Sequence, residues 1–191
     1  VKVILMTHRH TDHIRESTVK RIVKEYPKLT FVCGEWLKPM LELFGVKRIL
    51  VIEFDKWYNF GFCQVNMITA YHDIENCGYR IFADDKKILH ITDTYTLDGI
   101  VAKDYDGYFL EANYDEIQIE KDILDKQEQG LFAYEIGAKN SHLSFQKSVA
   151  FFKKNRKESS IYVPLHISHK YKNEQLNVLS IINEKENQDE K

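Results

Sequence analysis

"HRHTDHI" (residues 8–14) follows directly on the apolar run "VILMT" (3–7) and sets three histidines and an aspartate within six positions. Four polar, titratable side chains crowded at the end of an apolar segment need something to hold them together, and a metal pair would do so. Residues 1–7, "VKVILMT", carry β-branched and aliphatic residues with no breaker and read as a buried strand. Side chains two apart on an extended strand point the same way, so His8 and His10 can reach one ion together. The chain then turns into a helix, where Asp12 and His13 face a neighbouring position suited to a second ion.

Two zinc ions each want about four nitrogen or oxygen donors, so more ligands must come from further along. His72 ends "NMITAYH", Asp93 ends "KILHITD", and His166 lies near the end of "IYVPLHI". All three sit at carboxyl ends of expected strands, where α/β layers build their sites. The resulting set is His8, His10 and His72 on one ion, Asp12, His13 and His166 on the other, and Asp93 shared. Asp93 in "TDT" could instead cap a turn. His166 is preferred to His169 because it belongs to the apolar strand. His90 reads as structural, Asp73 as a residue that orients His72, and Cys77 as a buried thiol.

Outward from these residues, the chain reads as one α/β domain. Strands are expected over 1–7, 29–33, 48–52, 62–72, 77–83, 86–93, 105–112 and 159–167. Helices are expected over 14–26, 35–45 (despite Pro39), 114–127, 144–157 and 173–186. A chain of 191 residues with 43% hydrophobic and 13% aromatic content can bury a substantial core. Its 27 basic residues nearly balance 29 acidic ones, and the closing "EKENQDEK" (184–191), read as a disordered polar tail, carries the net −2. No global electrostatic footprint for nucleic acid is therefore visible. The basic run "KKNRK" (153–157) reads as a solvated helix end. Cys33, Cys63 and Cys77 are widely spaced with no CxxC, which argues against a disulfide framework and for the cytoplasm. No stretch reaches the roughly 18 apolar residues of a membrane span, so no membrane partner is expected.

The HxHxDH run, His72, Asp93 and His166, in that order, resemble the metallo-β-lactamase fold of hydrolases over residues 1 to 183. The resemblance implies an αββα sandwich, two mixed sheets face to face with helices outside, and a dinuclear site holding two zinc ions (manganese being the alternative). Members of that family carry several strands ahead of the HxHxDH strand. Here it opens the chain, so the N-terminal strands, on the order of fifty residues, are expected to be absent.

"AYHDIENCGYRI" (70–81), "LEANYDE" (110–116), "SHLSFQKS" (141–148) and "PLHISHKY" (164–171) look like the nuclease-related branch, exonuclease-like proteins and tRNase Z. That likeness implies a proton-donating role for His142, with Glu111 as its orienting partner; the alternative is that His142 is simply a helix-entry residue beside the Ser144 cap. It also implies a nucleic acid substrate and a phosphodiesterase whose attacking hydroxide bridges the two metals, Asp12 serving the same centre. A hydrolase of a small ester, thioester, lactone or β-lactam is the second reading, disfavoured because such relatives often carry Gly-His where this chain has "YHD". An inactive metal-binding fragment is the third. Oligomeric state is not legible in the sequence.

Overall fold

The computed structural model describes residues 2–170. The expected terminal helix over 173–186 and the polar tail lie outside the described residues. The chain divides into two compact units, one ending at His90 and one beginning at Ile91.

The first unit opens with three short parallel strands, β1 (Val3–Leu5), β2 (Thr30–Cys33) and β3 (Ile49–Val51), paired in the order β1-β2-β3. Alternation along these strands sends side chains to two different cores. Ile4, Phe31 and Cys33 pack with Val19 of helix α1 (Glu16–Glu25) and Leu41 of α2 (Lys38–Leu43), whereas Val3, Leu5 and Val32 pack with Val65, Met67, Cys77 and Tyr79. The latter residues belong to an antiparallel sheet formed by β4 (Trp57–Asn59), β5 (Gln64–Ala70), β6 (Asn76–Ala83) and β7 (Lys86–Ile91). Helices, parallel strands and antiparallel strands thus form three layers within this unit.

Pro39 does not break the expected helix over 35–45. A 3-10 turn (Glu35–Leu37) precedes α2, and Pro39 falls in the first turn of that helix, where its missing N–H would have no intrahelical acceptor anyway. β6 and β7 are joined by the two-residue turn Asp84-Asp85, both at positive φ (48° and 59°). Those signs are what a tight hairpin with right-handed strand twist requires.

The second unit pairs β8 (Gly107–Glu111) with β9 (Ile161–Leu165) in parallel. Helices α3 (Glu116–Glu128), α4 (Glu135–Ser141) and α5 (Phe145–Asn155) complete it. Asp115 caps α3 by accepting from the amides of Ile117 and Gln118, and Ser144 caps α5 through the amide of Lys147. The two caps are tied to each other: Gln146 donates to Asp115 and accepts from the Glu116 amide, and Ser144 donates to Glu116. Phe145 and Val149 of α5 pack with Ala112 and Tyr162 at the strand pair. No helix among the described residues is long and apolar enough to cross a membrane.

Candidate metal centre

In the first unit the strand β1 stops at Leu5, and the HxHxDH residues form a tight turn ahead of α1 rather than its first turn. The amides of His13 and Ile14 both donate to the His10 carbonyl, at 3.0 and 2.8 Å. This turn is secured from β6: the Tyr79 hydroxyl donates to the Met6 carbonyl, and the Cys77 thiol lies 3.6 Å from the carbonyls of both Met6 and Thr7. Burial pushes the Cys77 thiol up to about 12, so it stays a neutral donor.

His72 lies just past the end of β5 and comes to the same place. Ligand atoms of His8, His10 and His72 all lie within 4.8 Å of one another. His72 Nε2 is 3.2 Å from His10 Nδ1, and Asp73 sits 3.0 Å from the same His72 nitrogen and 3.6 Å from His10 Nε2. Two nitrogens bound at about 2.0–2.1 Å to a tetrahedral ion stand about 3.3 Å apart, so the spacing of these rings suits zinc. The His13 ring lies 4.3 Å from the His8 ring, tilted by 48°, with its Nε2 3.6 Å from an Asp12 carboxylate oxygen. His90, in β7, is half-buried, and desolvation lowers its pKa.

In the second unit Asp93, Glu111, His142 and His166 form another group whose ligand atoms lie within 4.8 Å of one another. Glu111 ends β8 and is fully buried. One carboxylate oxygen faces His142 Nδ1 at 2.6 Å and His166 Nδ1 at 3.0 Å; the other accepts from the backbone amides of Thr94 and Leu143. His166 Nδ1 is also 3.3 Å from an Asp93 oxygen.

Asp93 and His166 both adopt φ of +52°, a conformation uncommon for residues other than glycine. Such backbone persists where neighbouring contacts hold it. Thr92 donates to Asp93 at 2.6 Å, and Asn113 donates to the His166 carbonyl at 3.0 Å. Neither Thr92 nor Asn113 was singled out by spacing. The only signals were their places beside Asp93 in "TDT" and after "LEA".

Imidazoles and carboxylates make up both groups, with no thiolate among them, a donor set suited to zinc, manganese or iron. His169, the competitor of His166, is exposed and stands in neither group.

A family model described as "Beta-lactamase superfamily domain" matches residues 1–167. Among solved structures, the metallo-beta-lactamase fold protein YhfI from Bacillus subtilis aligns with a TM-score of 0.67 at 12% identity, covering 88% of this chain and 65% of that one. Human tRNase Z, short form, aligns with 0.60 at 17% identity, covering 90% and 74%. A diphosphatase from the PhnP family aligns with 0.61 at 16% identity, covering 88% and 61%. At these identities the likeness is one of fold. The chain spans less than two thirds of the length of YhfI. No curated protein matches the chain.

Proposed function

The chain belongs to the metallo-β-lactamase fold family, and from that premise we propose that it is a metal-dependent phosphodiesterase acting on DNA or RNA. The ligand assignment is that of the motif order: His8, His10 and His72 for one zinc ion, Asp12, His13 and His166 for a second, and Asp93 for both. When bound, such ions lower the pKa of water and neutralise charge on a phosphodiester.

The observation that carries the choice of substrate is the Glu111–His142 contact at 2.6 Å. A carboxylate facing Nδ1 keeps the proton on that nitrogen and leaves Nε2 for proton transfer. The leaving oxygen of a sugar is a poor leaving group without a proton, which an imidazole at this position would deliver. A thiolate leaving group, with a parent pKa of about 8.5, has little need of one. Glu111 and Asp93 thus have different tasks: Glu111 orients two histidines, and Asp93 serves as a ligand.

The test is cleavage of single-stranded DNA, double-stranded DNA and RNA by the full chain, before and after chelation. The proposal expects cleavage that disappears with chelator and returns with zinc or manganese. Metal-loaded protein that cleaves none of the three overturns it, and faster turnover of a simple thioester or lactone moves the assignment to the small-ester class.

A further inference from the structure

The segment that carries the histidine cluster also walls a cleft of about 890 Å³, completed by the start of α1 and by α2. Arg9, Arg15 and Lys20 line it against a single carboxylate, Glu16, and Met40 and Phe44 give it an apolar side. Lys20 is paired with Glu16 at 2.5 Å, and Arg15 Nε donates to the Thr11 carbonyl at 3.2 Å. The Arg9 side chain is exposed and has no ion-pair or hydrogen-bond partner among the described residues. Arg9 is also the residue between His8 and His10.

We propose that this cleft binds a single strand of nucleic acid, its phosphates on Arg9, Arg15 and Lys20 and a base against Phe44 and Met40. The inference rests on the phosphodiesterase reading and supplies what that reading lacks, a place for the strand outside the histidine cluster. Cations that track a backbone, combined with an aromatic face that accepts any base, are how single strands are held without sequence preference. A lone cationic patch would serve an acidic protein or a membrane equally well, but the aromatic wall favours a base. The near-neutral charge of the whole chain makes the attraction local to this cleft. Arg9 stands between His8 and His10, so the cleft and the histidine turn share one segment of the chain.

The experiment is fluorescence anisotropy of the full chain with a short labelled deoxythymidine oligonucleotide across a salt series, run beside the cleavage assay. The variants are Arg9→Gln alone and Arg9→Gln, Arg15→Gln and Lys20→Gln together. Each phosphate contact on a single strand contributes about 0.7 to the slope of log affinity against log salt, so the triple variant should lose about 2 from that slope and bind at least about tenfold more weakly. Arg9→Gln leaves the Arg15–Thr11 and Lys20–Glu16 contacts in place and should lose about 0.7, a loss that misfolding does not explain. Unchanged affinity and slope in the triple variant overturn the cleft and leave any cleavage activity standing. Binding that depends on the three cations, without metal-dependent cleavage, overturns the phosphodiesterase reading and leaves the cleft. A wild-type chain that binds anionic vesicles but not the oligonucleotide overturns the inference.

Discussion

Glu111 meets no solvent, yet its two oxygens serve two imidazoles and two backbone amides. Glutamine in its place keeps the shape but offers one acceptor oxygen, and its amide group turns donors toward groups that already donate. Leaving buried donors unsatisfied costs about 1–3 kcal/mol. Glu111→Gln should therefore lower the melting temperature and, through the misplaced histidines, reduce kcat by roughly 10–100-fold, with KM changed far less. Steady-state kinetics beside a thermal melt would check both. The histidines and aspartates that the structure gathers into groups were legible because several of them stand at the ends of apolar segments. Thr92 and Asn113 were not, since a lone threonine or asparagine carries no periodicity, and their partners are set by a loop conformation with φ above zero at Asp93 and His166.

The β6–β7 hairpin turns on two aspartates in the left-handed region, a conformation that costs an L-residue roughly 1–2 kcal/mol. Glycine carries no such penalty, although it gains freedom in the unfolded chain. Asp85→Gly should accordingly stabilise the protein by about 0.5–1 kcal/mol, seen as a rise in the urea midpoint with an unchanged slope. An unchanged or lower midpoint would show that the Asp85 side chain contributes more than its backbone costs. Most elements were readable from apolar periodicity, and the differences have local causes. β4 (Trp57–Asn59) spans three residues, too few for a pattern, and exists through its pairing with Gln64–Asn66. α4 (Glu135–Ser141) spans only seven residues and contains Gly137, a poor helix former. Its first residue is held instead from outside, by Lys126 of α3 and by Lys170.

At the scale of the whole molecule, that same Glu135 gives stability an acid-sensitive contribution. Burial alone would raise the Glu135 carboxyl, but Lys126 at 2.8 and 2.9 Å, with Lys170 at 3.1 Å, holds it below the usual carboxylate value. A depressed native pKa contributes stability that is complete above the unfolded value of about 4.3 and is lost as pH falls through the native one. Glu135→Gln should thus lower stability by about 1–3 kcal/mol at neutral pH. The gap from wild type should narrow as the pH falls below about 4.3 and close below the native pKa, which urea titrations over a pH series would reveal.

The hydrogen bonds that β6 makes to Met6 and Thr7 give the molecule a chemical gauge of its own. Cys77 sits fully buried at the root of the histidine turn, and Cys33 is equally enclosed, its thiol raised to about 11 by burial, whereas Cys63 is partly open. Maleimide at neutral pH should therefore alkylate Cys63 first and spare the other two, since reaction needs an accessible thiolate. Peptide mapping after chelator treatment would then show whether the turn loosens when ions are withdrawn: accelerated alkylation of Cys77, with Cys33 still protected, is the footprint of that opening.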